Sequence, residues 1–147
     1  MTHKARFTLN FVTEGASLRE LYEANKELFR NMDTVGEIDL DQWWKKEPFI
    51  DDRHEAGEWE IILDTENNQS REGYIVPPVS LVAEALIQHY RKIGWKLYEK
   101  AYIETNTKDS NESKILFGIC CGFNEFKLSR NNRDDKDNFI ALARKIK

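Results

Sequence analysis

The 147-residue chain has no run of about 18 apolar residues, so it lacks the signature of a membrane-spanning helix. Residues 1–6 lead into an alternating segment instead of an apolar signal core, and no export signal is read there. Cysteine is scarce. Cys120 and Cys121 are the two present, and they are adjacent. Neighbouring cysteines seldom bridge, and on a strand they face opposite ways. Two reduced thiols, a reducing compartment and a cytoplasmic setting are therefore expected.

The 7 glycines are scattered, and none forms G-x-G-x-x-G or G-x-x-x-x-G-K, which excludes the common phosphate-binding loops. There is no C-x-x-C or H-x-x-x-H pair of the kind that holds zinc. No G-x-S-x-G nucleophile elbow occurs. Histidine is limited to His3, His54 and His89. His89 borders an apolar helical stripe and reads as a boundary residue.

Aromatic residues, in contrast, are plentiful: 8 Phe, 5 Tyr and 4 Trp. Disordered chains are poor in such residues. A chain of this length can bury roughly 70% of its unfolded surface, enough for one core without staples. A single domain over 1–147 is expected, with 36–56 an irregular or short-helical insertion. Charge is unevenly spread. Residues 1–75 carry 9 Lys/Arg against 17 Asp/Glu, and residues 76–147 carry 13 against 9. Such halves either attract one another or mark a partner-binding face.

Periodicity supplies the elements. Phe7, Leu9 and Phe11 alternate with polar residues and predict a strand over 6–12. Ser17 followed by Glu20 forms a capping-box pattern that opens an amphipathic helix over 17–33. A short helix is expected at 39–46, stopped by Pro48. Trp59, Ile61 and Leu63 predict a strand over 58–65. Pro77 and Pro78 introduce a helix that ends at Gly94, with Arg91 and Lys92 in its last turn. Strands follow at 95–104 and 114–126. Phe139, Leu142, Ala143 and Ile146 lie at helical spacing and predict a final helix capped by Asn131 or Asn132. The expected fold is α+β: a mixed, mainly antiparallel sheet of about four strands with three main helices, in the order β-α-(α)-β-α-β-β-α. The α-β-β-α order from Pro78 onward is shared with several RNA-binding modules, but their G-x-x-G clamp and aromatic signature are missing, so no residues carry over.

Four groups of residues hold chemical interest. Asp51, Asp52, His54, Glu58, Glu60 and Asp64 form an acidic stretch with one imidazole. Carboxylates at i, i+2 on a strand share a face and suit a hard cation, which would fit a metal-dependent, nuclease-like phosphodiester hydrolase. Charge runs are, however, ordinarily solvated. Lys96, Tyr98, Lys100 and Tyr102 alternate cations with rings, as a surface binding single-stranded nucleic acid would. The same lysines would instead pair with Glu58, Glu60 or Asp64 if the two strands were neighbours. Glu99, and His54 with it, are the candidate catalytic residues; alternation puts Glu99 on an apolar face, where a carboxylate needs a partner, unless a bulge turns it outward. Trp43 and Trp44 adjoin Lys45 and Lys46 and offer an interface anchor or local packing.

No coherent catalytic set emerges. The expectation is a small binding or regulatory protein without enzymatic activity and without a cofactor. The acidic balance favours a protein partner over nucleic acid. No membrane association is expected.

Overall fold

The computed structural model describes residues 6–29, 43–64, 72–94, 101–120, 125–130 and 139–146. Alternation does what it should in the first two strands, β1 (Arg6–Thr13) and β2 (Gly57–Asp64), which pair antiparallel from Arg6 opposite Asp64 to Thr13 opposite Gly57. Phe11, Trp59, Ile61 and Leu63 all point into the core.

Helix α1 (Leu18–Ala24) starts where expected: Ser17 accepts from the Glu20 amide, and the Glu20 carboxylate accepts from the Ser17 amide. It ends earlier than its apolar stripe implied. Asn25 is buried, and its side-chain amide donates to the Leu21 carbonyl at 2.8 Å, replacing the main-chain bond that would continue the helix. A 3-10 turn, Lys26–Leu28, follows. Residues 43–51 form two further 3-10 turns, Trp43–Lys46 and Pro48–Asp51. Helix α2 (Val79–Ile93) closes on Gly94, whose φ of 83° is the left-handed cap that only glycine adopts cheaply.

Among the described residues, the expected four strands and three helices give way to six strands and two helices, still within the α+β class. The third strand, β3, spans Ala101–Lys108, running past the expected end at 104. The single strand expected over 114–126 is two: β4 (Lys114–Cys120) and β5 (Glu125–Arg130), paired antiparallel. The expected final helix is instead strand β6 (Phe139–Lys145). Its apolar residues satisfy both periods. Phe139, Ala141 and Ala143 alternate onto the core face as readily as Phe139, Leu142 and Ala143 would line a helix. Backbone pairing on both sides decides between them.

The sheet order is β1-β2-β6-β3-β4-β5. Strand β6 pairs antiparallel with β2 and, over Ile103–Phe139 and Glu104–Ile140, parallel with β3. Past that point Ile75 takes over the β3 side of β6, exchanging two 2.8 Å bonds with Ala143. Helix α2 lies on the core face against β1, β3 and β4, and α1 packs on α2. No helix among the described residues is long and apolar enough to cross a membrane.

Tertiary position also accounts for the uneven charge. Glu27–Arg91, Glu47–Arg130, Glu55–Lys145 and Glu60–Arg144 each join the acidic first half to the basic second half. The exposed pairs Glu27–Arg91 and Glu55–Lys145 contribute at most about 1 kcal/mol apiece. The main cohesion is apolar. Phe29 sits among Tyr22, Trp44, Phe117 and Phe126 with ring centroids 5.3–6.3 Å apart, and its backbone bridges Phe126 beside β5. Truncation of Phe29 to alanine is expected to cost about 3–5 kcal/mol in urea denaturation. Truncation of the exposed Val12 is expected to stay within about 0.5 kcal/mol. Similar costs for the two would refute the placement of the core.

Candidate functional site: a buried polar clamp and an open strand edge

Four polar side chains meet inside the molecule, from three separate stretches of chain. Thr13 ends β1, His54 precedes β2, and Ser80 and Glu84 sit four residues apart on one face of α2. All four residues are buried. His54 Nε2 lies 2.8 Å from Glu84 Oε1 and 2.9 Å from Thr13 Oγ1. His54 Nδ1 lies 2.9 Å from Ser80 Oγ. Thr13 also donates its hydroxyl to Glu84 Oε1 and accepts the Gly15 amide at 2.9 Å. Gln88 donates to Glu84 Oε2 at 2.7 Å and to the Val12 carbonyl at 2.9 Å.

Burial disfavours the Glu84 carboxylate, but hydrogen bonds from His54, Thr13 and Gln88 together outweigh it and hold its pKa below the usual glutamate value. An ionised Glu84 accepts a hydrogen bond from the N–H at His54 Nε2, and Nδ1 faces the Ser80 hydroxyl. Hydroxyl, imidazole and carboxylate thus stand in the order of a nucleophile relay. The nucleophile has no access: Ser80 is only 3% exposed, and the groove on this side of the molecule does not include it. The arrangement is a clamp between β1, the loop before β2, and α2. Gly15 completes it. At φ +88° it lets the chain turn, and a Cβ there would stand 2.9 Å from the His54 carbonyl oxygen.

The acidic stretch around His54 is dispersed. Asp51 pairs with Arg19 at 2.6 Å on the surface, Asp52 is exposed, and Glu58 is half-buried. Glu60 accepts from Tyr74 and, at 3.1 Å, from Arg144; Asp64 is buried at the end of β2. Among the described residues no group of three or more His, Cys, Asp or Glu is placed to hold a metal ion. Strand β6 separates β2 from β3, so the cations beside Glu60 and Glu55 are Arg144 and Lys145 of β6. Lys96, Tyr98, Glu99 and Lys100 lie outside the described residues. Tyr102 is half-buried, its ring packed on Gly118 with Lys127 5.4 Å from the ring centre. Trp44 is 1% exposed and fills the aromatic core, which leaves it no surface to offer a partner. The side chain of Trp43 lies outside the described residues.

The surface feature that sequence reasoning missed is the free side of β1. Its only strand neighbour among the described residues is β2. The Glu58 carbonyl points to β6, where it accepts the Ile146 amide at 2.7 Å, so Val12 and Glu58 are a pair without mutual bonds. Alternation then turns the amides and carbonyls of Thr8, Asn10 and Val12 to the open edge. Gln88 satisfies the Val12 carbonyl. A groove of about 750 Å³ runs between this edge and the C-terminal half of α2. Val12 is 67% exposed, Ile93 at the groove's far end 52%. The sequence did carry a signal for the clamp: Glu84 interrupts the apolar stripe of α2 between Ala83 and Leu86, four residues after Ser80.

No family model matches the sequence, and no curated protein or solved structure matches it.

Replacing Glu84 with alanine leaves the Thr13 hydroxyl buried without its acceptor and the His54 N–H with the Thr13 oxygen alone. A loss of about 2–4 kcal/mol is expected in urea denaturation, and an unchanged midpoint would refute the clamp. Acid should act through the same carboxylate. Its folded pKa lies below the unfolded value of about 4.3, so its contribution is full above that value and is lost as pH falls through the folded pKa. The stability gap between wild type and Glu84→Gln should therefore hold above about pH 4.3 and narrow as pH falls below it. A constant gap would contradict the assignment.

Proposed function

We propose that the protein is a non-catalytic binding module whose partner is another protein. The open edge of β1 carries this reading. An uncovered strand edge is a template for another chain, and proteins that do not use one blunt it with proline, bulges or inward charges. β1 is eight residues long with no proline, and its pairing with β2 is regular throughout. Its flanks offer apolar surface in Val12 and Ile93. At the other end of the sheet β5 is bridged by Phe29, so the two edges are not alike. The polar relay supports the same reading, since its hydroxyl is sealed from any substrate. A net charge of −4 weighs against nucleic acid as the partner. The cytoplasmic setting inferred from Cys120 and Cys121 belongs to this proposal.

Asn10→Pro tests it. Proline is tolerated on an edge strand where the N–H faces solvent, so the fold should survive while the ring obstructs strand addition. Proteins retained by the immobilised wild type from cell lysate should be lost with Asn10→Pro at matched circular dichroism. Identical retention by both, at low and at moderate salt, would count against the edge as the binding surface.

A further inference from the structure

We infer that the occupant of the β1 edge is an extended acidic segment of a partner protein, added as a seventh strand beneath the C-terminal half of α2. The inference rests on the protein-binding reading and names the chemistry of the partner. Thr8 and Asn10 each present both an amide and a carbonyl, and Val12 an amide, to the open side. The span from Thr8 to Val12 takes about 17 Å of extended chain. Such main-chain bonds hold any sequence equally well; side chains along the groove must choose among partners.

Charge makes that choice. In a chain of net −4, the formal charges lining the groove are Arg91 and Lys92, and no carboxylate lines it. Arg91 is shared with Asn25, at 2.9 Å, and with Glu27. Lys92 is exposed and has no ion pair among the described residues. His89 stands one turn earlier in the same lining. A basic strand laid here would meet the like charge of Lys92, which has no ion pair among the described residues. An acidic strand places carboxylates on its α2 face against Lys92, and its apolar alternates fall on the opposite face beside the exposed Val12. Gln88 marks where the site ends, because it already caps the Val12 carbonyl while tied to the buried Glu84.

The test uses two blocked octapeptides, one alternating Glu with Val and the other Lys with Val, added to the full chain at neutral pH. The Glu peptide should bind, and the backbone amides of Thr8, Asn10 and Val12 should gain hydrogen-exchange protection. Those of Leu9 and Phe11, already bonded to β2, should not change. Binding should weaken as salt rises. Lys92→Glu should weaken it about fivefold or more, and Asn10→Pro should abolish it while the fold persists. Equal binding of the Lys peptide, or indifference to Lys92→Glu, would overturn the acidic occupant and leave the protein-binding reading standing. Binding without the alternate-residue protection would overturn strand addition. A concentration-dependent dimer that protects the same amides without peptide would make a second copy the occupant and overturn the proposal. Absence of protection with either peptide, joined to identical lysate retention by wild type and Asn10→Pro, would remove both readings.

Discussion

The carboxylate of Glu84 is buried where β1, the loop before β2 and α2 converge, and the position of α2 depends on keeping that charge satisfied. A carboxylate taken out of water costs several kcal/mol unless donors surround it. Here the donors are His54, Thr13 and Gln88, contributed from 30, 71 and 4 residues away. An apolar helix face alone could slide along a sheet at little cost. A buried charge with fixed donors cannot, because a shift of one turn would strand it. The clamp thereby sets where α2 ends over the sheet, and with it the groove between α2 and β1.

The middle of the sheet imposes a second constraint. Strand β6 comes last in the described chain and lies third in the sheet, so pairing of β2 with β3 through β6 waits on the C-terminal residues. Contacts of such long sequence separation are slow to form. They also bring the basic end of the chain against the acidic beginning, through Glu60 with Arg144 and Glu55 with Lys145. The charge imbalance seen along the sequence is thus used largely within the fold. Lys92, beside the groove, has no ion pair among the described residues.

These two constraints explain why a candidate surface lies at β1 and not around the acidic stretch. Residues 51–64 are split among a surface ion pair, a buried clamp and the outer face of β2. The β1 edge combines main-chain groups that have no strand partner among the described residues, apolar exposure and a single sign of charge. Gln88 links it to the clamp, bonding the Val12 carbonyl with the same amide that bonds Glu84. Stability of the interior and geometry of the edge are therefore coupled through one side chain.

Sequence by itself determined the elements whose signals are local. The alternation of Phe7, Leu9 and Phe11, the Ser17–Glu20 capping box, the inward side of β2, and the stop at Gly94 all depend on neighbours within a few residues, and all stand in the fold. Tertiary structure decided the rest. The segment Phe139–Lys145 fits helix and strand periods alike, and its Ala, Leu, Arg and Lys favour helix locally. It is a strand because β2 and β3 offer bonds on both its sides. Glu84 reads as an interruption until His54 and Thr13 arrive from distant sequence. An open edge is no property of β1 at all. It exists because the sheet's pairing order leaves that strand at the end, and pairing order is settled by long-range hydrogen bonds that no local pattern encodes.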